Sequence, residues 1–265
     1  MNTSEPAISF SGLSFGYEAT APAVLHNISM DIPARSITAI LGPNGSGKTT
    51  LLHLLLGLLP PTNGNILLAG KPHGQYSRRD LSQVVGLVPQ DEPVAFDLSV
   101  LEFVLLGRAP YLHLLELPKE SDRQVALQAL AAIGLTALQH RPVPSLSGGE
   151  RQLAIIARAL AQEPLILLSD EPTSHLDLGN TRRILRVLRL LGNDGKTIVF
   201  TTHDPNLAAA IADYVVLLRE GRLLAAGPAA DVLTSEYLSA TYGIEVEVIQ
   251  LRGHPLVVTQ QCFQT

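Results

Sequence analysis

The most informative stretch of the chain reads Gly42-Pro43-Asn44-Gly45-Ser46-Gly47-Lys48-Thr49-Thr50. Residues 42–49 fit the pattern G-x-x-x-x-G-K-[ST]. Because glycine has no Cβ, backbone N–H groups in such a loop can converge on the oxygens of a phosphate group. Lys48 would add a cation beside the β- and γ-phosphates of a nucleotide, and the Thr49 hydroxyl is suited to Mg²⁺. The stretch therefore predicts a loop that binds nucleotide phosphates.

The residues on either side of this loop have the pattern that such a loop needs. Ser36 to Leu41 is typical of a buried strand, and Thr49 to Leu59 predicts a short helix stopped by Pro60-Pro61. A helix that begins at the loop points its free N–H groups and the positive end of its dipole at the phosphates. The order of strand, loop and helix favours phosphate binding over the alternative, a glycine-rich turn with an exposed lysine.

A second candidate site is a pair of acids that follows an apolar run. Leu165 to Leu168 is typical of a strand buried on both faces, and Ser169, Asp170 and Glu171 come directly after it. Acids at the carboxyl end of a parallel strand face the ligand crevice. Asp170 is suited to hold Mg²⁺ directly or through water, and Glu171 to polarise a water that attacks a γ-phosphate. The alternative is a solvated pair of acids at the end of a strand.

A second glycine motif, Leu146-Ser147-Gly148-Gly149-Glu150, stands at the start of a predicted helix from Gly148 to Gln162. The N–H groups of its two glycines would form a second anion site. Two such sites leave two possibilities open: both bind one nucleotide, or the second serves a nucleotide held by another subunit. An isolated motif of this kind also fits a loop whose serine caps the helix.

The composition excludes several other classes of protein. Hydrophobic residues make up 46% of the 265, which excludes a disordered chain. Lys and Arg total 19 against 24 Asp and Glu, so the net charge of −5 gives no sign of a nucleic-acid-binding surface. The single cysteine, Cys262, excludes a disulfide framework and a multi-cysteine zinc site. No apolar run reaches the roughly 18 residues that a membrane-spanning helix needs.

Strand-like and helical patterns alternate along the chain. Further strands are predicted at Ile8 to Phe15, Thr197 to Thr201 and Tyr214 to Leu218. This alternation predicts an α/β fold with a mainly parallel sheet. The stretch from about Asp91 to Ser145 is richer in helical patterns and predicts a helical insert. The tail from about Ser235 onward offers no assignable chemistry.

Together, GPNGSGKTT, LSGGERQ and LLSDEPTSHLD resemble the ATP-binding subunits of ABC transporters, over roughly Ile8 to Thr234. The resemblance implies a P-loop NTPase (RecA-like) core with an inserted helical subdomain and a small antiparallel β region. Within a single domain, the expected parts are an α/β core at 1–90 and 161–235, a helical subdomain at 91–160 and a tail at 236–265. The resemblance also implies a head-to-tail homodimer, which sandwiches each ATP between one subunit's phosphate loop and the other's LSGGE loop.

The resemblance assigns further roles residue by residue. Tyr17 matches the aromatic residue that stacks on adenine, Gln90 the glutamine that touches Mg²⁺ or the attacking water, and His203 the switch histidine on the γ-phosphate. The implied catalytic residues are Glu171 and His203, and the implied Mg²⁺ ligands are Thr49, Gln90 and Asp170. The nucleotide would be bound in cis by Tyr17, Gly42, Pro43, Asn44, Gly45, Ser46, Gly47, Lys48, Thr49, Thr50 and Gln90, and in trans by Ser147, Gly148, Gly149, Gln152 and Asp177. His175 departs from the family pattern, which usually has a small residue or asparagine there.

Two segments, Leu106 to Tyr111 (LGRAPY) and Asp204 to Ala208 (DPNLA), most resemble the bacterial importers of metal chelates such as siderophores, haem and cobalamin. This resemblance implies an ATPase at the cytoplasmic face of a bacterial or archaeal inner membrane. It would be peripheral there through a separate permease and supplied by an extracytoplasmic solute-binding protein, with no nucleic-acid partner. The alternatives are an importer of another small solute, such as a metal ion or oxyanion, or a soluble non-transport ABC ATPase. The latter would be a cluster-assembly scaffold or a DNA- or ribosome-associated protein.

Overall fold

The computed structural model describes residues 5–18, 22–90, 92, 97–113 and 115–259. Within these ranges the strands are β1 (Ile8–Phe15), β2 (Leu25–Ile32), β3 (Ile37–Leu41), β4 (Asn63–Leu68), β5 (Lys71–Pro72), β6 (Val85–Val88), β7 (Ile166–Ser169), β8 (Thr197–Thr202), β9 (Tyr214–Arg219), β10 (Arg222–Pro228), β11 (Val246–Leu251) and β12 (His254–Thr259). The α-helices are α1 (Lys48–Leu55), α2 (Arg78–Val84), α3 (Val100–Leu105), α4 (Glu120–Ala132), α5 (Gly148–Ala161), α6 (Leu178–Asn193), α7 (Pro205–Ile211), α8 (Ala229–Val232) and α9 (Ser235–Tyr242).

The chain divides into two compact units. The first unit comprises residues 1–75 and 191–265, and the second comprises residues 76–190. The predicted helical insert, 91–160, falls inside the second unit, although its positions 91, 93–96 and 114 are outside the described residues. The boundaries of the domain division drawn from the sequence stay a prediction.

The first unit is built around β3, which is flanked on both sides. β8 and β9 pair with β3 in parallel, and β10 pairs with β9 in antiparallel fashion. Every residue of β3 is buried, as expected of a parallel strand covered on both faces. This explains why its sequence is continuously apolar instead of alternating, and it confirms the predicted strands here and at β8 and β9.

The same unit contains a separate antiparallel sheet with the strand order β2-β1-β4-β5. This confirms the predicted small antiparallel region and the predicted strand β1. β2 has no clear signal in the sequence, because Asn27 adopts a left-handed conformation with φ 51° and the pairing with β1 shifts register. Such irregularities interrupt the two-residue alternation on which strand prediction depends.

The predicted helix after the glycine-rich loop is confirmed, but its end is not where the prolines stand. α1 ends at Leu55, because Gly57 turns left-handed with φ 67°. The N–H groups of Gly57 and Leu58 donate to the carbonyls of Leu54 and His53, at 3.1 and 3.0 Å, which closes the last turn. Glycine commonly terminates helices in this way. Pro60-Pro61 therefore lie beyond a helix that has already ended.

The second unit combines a parallel pair of strands, β6 and β7, with the packed helices α3, α4 and α5. The LGRAPY segment lies here as a 3-10 helix whose Arg108 side chain is buried. Its guanidinium donates to Asp122 at 3.0 Å and to Glu163 at 2.7 Å, and it stacks 4.0 Å from the centre of the Tyr111 ring. Removing one partner of the buried Arg108–Asp122 pair would leave the other charge unpaired, so replacing either residue should destabilise this unit. No described helix has the length and apolar composition that crossing a bilayer requires.

Candidate functional site

The glycine-rich loop of the first unit connects β3 to α1, as the sequence predicts. A Cβ on Gly42 would come within 2.2 Å of the Leu218 carbonyl oxygen, so no larger residue fits there. Gly47 has φ 99°, and its Cβ would meet the Leu25 side chain at 2.6 Å. The backbone of the loop therefore packs directly against β9 and β2, which leaves its opposite side to a ligand.

The positive charge of this loop is buried and held in place. Lys48 is 6% exposed, and its Nζ donates to the carbonyl oxygens of Gly42 at 2.8 Å and Pro43 at 3.1 Å. The Ser46 hydroxyl is also buried and has no hydrogen-bond partner among the described residues. An unpaired buried hydroxyl costs free energy, which a phosphate oxygen would recover. No described side chain caps the start of α1, and no acid lies in its first turn. The positive end of the helix dipole and the Lys48 ammonium therefore favour an anion at this position.

Tyr17 is positioned next to this loop with its ring accessible. The side chain is 62% exposed, and its ring packs edge-to-face on Phe15 with the ring centres 5.0 Å apart. Its hydroxyl lies 3.3 Å from the hydroxyl of Thr50 in α1. Edge contact and the hydroxyl fix the ring in place and leave a π-face for stacking. This geometry agrees with the predicted adenine contact, which stays a prediction.

His203 follows the last residue of β8, in the same unit, and is exposed. Thr202 pairs with Leu41 at the carboxyl end of β3, directly before Gly42. Because β3 and β8 are parallel, the structure brings His203 and the glycine-rich loop to one edge of the sheet. A ligand on the loop would therefore meet groups from both strand ends.

The acidic pair lies in the second unit, at the end of β7. Asp170 is 9% exposed, and its backbone N–H donates to the Val88 carbonyl at 2.9 Å, which extends the pairing with β6 by one bond. Glu171 then turns left-handed with φ 43°. A non-glycine residue in this region carries backbone strain of about 1–3 kcal/mol, and such strain clusters at functional sites. Gln90, exposed, follows β6, so the two strands deliver Gln90 and the acids to the same edge of the pair.

The predicted metal ligands are all oxygen donors. They are the Thr49 hydroxyl in the first unit and the Gln90 amide and Asp170 carboxylate in the second. No three His, Cys, Asp or Glu side chains among the described residues cluster as a ready-made metal site. Mg²⁺ needs no such cluster, because it is usually held by one or two carboxylates together with water and substrate phosphates. The donor chemistry therefore fits Mg²⁺.

The second glycine motif starts α5 with a complete capping box. The Ser147 hydroxyl accepts from the Glu150 N–H at 3.3 Å, and the Ser147 N–H donates to the Glu150 carboxylate at 2.9 Å. The bond from the Ser147 N–H, and secondly one that the Ser147 hydroxyl donates to the same carboxylate at 2.9 Å, hold the pKa of Glu150 below its ordinary value. Ser147 thus caps the helix in this chain, as the alternative interpretation of the motif expected. Ser147 and Gly148 are also exposed, so a partner can reach them.

The loop at Asp177 is linked to this motif by a residue that the sequence analysis missed. The Asp177 carboxylate accepts from the Asn180 backbone at 2.7 Å and from its side-chain amide at 2.9 Å. The Asn180 side chain packs so closely on Gly149 that a Cβ there would lie 2.0 Å from its oxygen. The spacing Asp-x-x-Asn at a helix start was the available signal. His175 precedes this loop with φ 61°, a conformation that glycine and asparagine adopt more easily.

Gln152 is buried in α5, and its side-chain nitrogen has no hydrogen-bond partner among the described residues. The structure therefore places the five residues predicted to bind in trans on one unit, with Ser147 and Gly148 exposed and Gly149 and Gln152 buried. Their contact with a nucleotide stays a prediction.

Comparison with known proteins gives the family. The family model described as ABC transporter matches residues 25–174, more than half of the chain. The chain belongs to the ABC transporter family. As a member with the ATP-binding domain of that family, it binds ATP and is an ATPase.

Relatives of this ABC ATPase match it over nearly its full length. It is 40% identical over 240 residues to the hemin import ATP-binding protein HmuV of Thermobifida fusca, covering 90% of this chain and 84% of that protein. It is 41% identical over 237 residues to the molybdate import ATP-binding protein MolC of Haemophilus influenzae, covering 89% and 88%. A solved inward-facing structure of a putative metal-chelate type ABC transporter superposes with a TM-score of 0.85 at 38% identity, covering 97% of this chain and 98% of that one. The predicted family and ABC ATPase fold are confirmed.

Proposed function

We propose that this ABC ATPase hydrolyses ATP to power the import of a metal chelate through a separate membrane permease. The observation that carries the proposal is the full-length similarity to an import ATP-binding protein for hemin and to a metal-chelate type transporter. The chain would sit at the cytoplasmic face of a bacterial or archaeal inner membrane, bound to the permease. A solute-binding protein outside would deliver the chelate, and no nucleic acid takes part.

The residues of the first unit would bind the nucleotide. Residues 42–50 would surround the β- and γ-phosphates, each except Pro43 with a backbone N–H to offer, and Lys48 would supply the counter-charge. Tyr17 stacks on the base, a contact worth about 1–3 kcal/mol for a base on an aromatic ring. The carboxyl end of β8 presents His203 to the γ-phosphate. Mg²⁺, held by Thr49, Gln90 and Asp170, would neutralise charge on the phosphates.

Glu171 would act as the general base of hydrolysis. Its carboxylate orients the attacking water and takes its proton while the bond to the γ-phosphorus forms and the bond to the β-phosphate oxygen breaks. The left-handed backbone at Glu171 supports this role, because it re-aims the side chain immediately after the buried strand.

The second half of each site would come from a second copy of the chain. Ser147, Gly148, Gly149, Gln152 and Asp177 would complete the nucleotide site of the partner in a head-to-tail homodimer. A motif that binds only in trans must leave ATP binding by its own chain intact, and this is a testable property.

We expect a Ser147→Arg chain to bind ATP with near wild-type affinity, because its own glycine-rich loop is unchanged. It should neither dimerise nor hydrolyse ATP, because the large arginine side chain blocks the approach of the loop to the partner's γ-phosphate. Mixing it with a Lys48→Ala chain leaves one of the two composite sites whole, so part of the ATP-dependent dimer should return. Equilibrium titration with fluorescent ATP and gel filtration measure the two effects.

Ser99→Arg is the matched control for this substitution. Ser99 caps α3 through the same capping box, here with Glu102, so its loss removes the same type of helix cap from the same unit. This control should dimerise normally. A large loss of ATP affinity in the isolated Ser147→Arg chain, with its fold intact by circular dichroism, would contradict binding in trans.

The transported solute is tested by uptake in cells that lack this chain. We expect the uptake of iron supplied as haem or as a ferric siderophore to fall and to be restored by the wild-type chain but not by Lys48→Ala. Immunoblotting must show that the wild-type chain and the Lys48→Ala chain are present in equal amounts. Unchanged chelate uptake would contradict the proposed cargo.

A second candidate cargo is molybdate, because identity to the molybdate import protein is 41%, as high as to the hemin import protein. Loss of labelled molybdate uptake in the same cells, with normal uptake of iron chelates, would favour it. Under this proposal the permease, and not this chain, would contact and select the solute.

A further inference from the structure

The C-terminal segment, residues 235–259, contacts the residues around His203. It consists of α9 and of a C-terminal hairpin, formed by β11 and β12, which pair in antiparallel fashion from Val246 opposite Thr259 to Leu251 opposite His254. Both elements belong to the first unit, together with β8 and α7. The sequence offered no chemistry for this segment, and the nucleotide-binding residues described above do not include it.

Tyr242, the last residue of α9, holds the backbone of the proposed switch histidine. Its hydroxyl donates to the carbonyl oxygen of His203 at 2.9 Å. Burial, and secondly the charge of Asp204, raise the pKa of Tyr242 above its ordinary value, so the hydroxyl keeps the proton that it donates. A carbonyl bonded in this way fixes the peptide plane that follows His203.

Asn206, three residues after His203 in the chain, bonds to the C-terminal hairpin. Its side-chain nitrogen donates to the Val257 carbonyl at 3.1 Å, and its oxygen accepts from the Val257 N–H at 2.8 Å. The asparagine side chain thus pairs with β12 as a neighbouring strand would. Between these two attachments, the Asp204 carboxylate accepts from the Asn206 N–H at 2.8 Å and caps α7.

The hairpin and α9 are themselves anchored to each other. The backbone N–H groups of Val246 and Val248 donate to the hydroxyls of Ser239 and Ser235, each at 2.9 Å. Next to Ser239 in α9, the Ala240 carbonyl accepts from the Arg219 guanidinium. α9 is therefore bonded to β9 through Arg219, to the hairpin through its two serines, and to His203 through Tyr242. The hairpin is in turn bonded to Asn206.

We propose that the C-terminal segment positions His203 for hydrolysis, with Tyr242 and Asn206 as its positioning residues. The inference rests on the proposed role of His203 at the γ-phosphate. Neither residue is among those proposed to bind the nucleotide, so their removal should slow the chemical step and leave ATP binding unchanged. A tail that served only the stability of the fold would not produce this separation.

Tyr242→Phe tests the proposal by removing one hydroxyl. In the full-length chain we expect kcat for ATP hydrolysis to fall about three- to tenfold, the range that one hydrogen bond of ordinary strength corresponds to. KM for ATP and the melting temperature should stay at their wild-type values. Tyr237→Phe is the matched control, because it makes the same change on an exposed tyrosine of the same helix and should leave kcat unchanged.

Asn206→Ala is the second variant, and amide hydrogen exchange is a readout that needs no ATP. We expect Asn206→Ala to lower kcat without changing KM, and both variants to speed exchange at Asp204 in the nucleotide-free chain. Equal kcat for Tyr242→Phe and wild type, or a fall in kcat that comes with a higher KM and a lower melting temperature, would overturn the proposal. Wild-type hydrolysis is measured first and tests the proposed function separately.

Discussion

Glu171→Gln is expected to abolish turnover while ATP still binds. General base catalysis contributes about 10²–10⁴-fold to rate, so kcat should fall by that factor. Glutamine keeps the shape of the side chain and has no carboxylate to accept the proton of the attacking water. The affinity for ATP should persist, because Lys48 and the glycine-rich loop lie in the first unit and are unchanged. Phosphate release under saturating ATP measures kcat, and the ATP-bound chain should accumulate as a dimer in gel filtration.

Glu220→Gln is the matched control for this variant. Glu220 is also a glutamate in the left-handed region, with φ 50°, and its exposed side chain sits in the turn between β9 and β10. The control thus removes the same charge from the same backbone conformation and should hydrolyse ATP at the wild-type rate. Near-wild-type turnover by Glu171→Gln would remove Glu171 from the catalytic role.

Lys48→Ala is expected to weaken ATP binding itself. Hydrogen bonds to a charged group contribute about 1.5–3 kcal/mol, which corresponds to a Kd about 10- to 150-fold higher. The structure adds a second consequence. Because the Lys48 ammonium holds the Gly42 and Pro43 carbonyls, its loss also releases the loop from its internal bonds. We therefore expect a lower melting temperature even without nucleotide, measured beside a titration with fluorescent ATP.

Lys71→Ala controls for the loss of one positive charge. Lys71 is an exposed lysine of the same unit, in β5, away from the glycine-rich loop in the chain. Its replacement should leave Kd unchanged. An unchanged Kd in Lys48→Ala would refute the assignment of residues 42–50 to the phosphates.

The local parts of the fold and site were predictable from the sequence. Continuous apolar runs predicted β3 and β7, because parallel strands buried on both faces need apolar residues at every position. The spacing of Gly42, Gly47 and Lys48 predicted a loop between strand and helix, because its requirements involve only neighbouring residues. The end of α1 was misplaced, since the left-handed Gly57 terminates the helix before the prolines are reached.

Other features depend on contacts between residues far apart in the chain. Gly42 must be a glycine partly because the Leu218 carbonyl lies against it, and Asn180 holds both Asp177 and Gly149. Neither contact leaves a periodic pattern in the sequence, because each depends on which strands and helices become neighbours.

A few consecutive residues were enough to predict each chemical feature of this protein: a loop suited to phosphates, an acidic pair and a second glycine motif. How these features are supported depends on contacts that form only in the folded chain. β3 lies between β8 and β9, which are distant in the chain, and Tyr242 reaches the carbonyl of His203. The physical reason is that periodicity and spacing record local geometry, whereas strand order and packing are fixed by burial of the whole core.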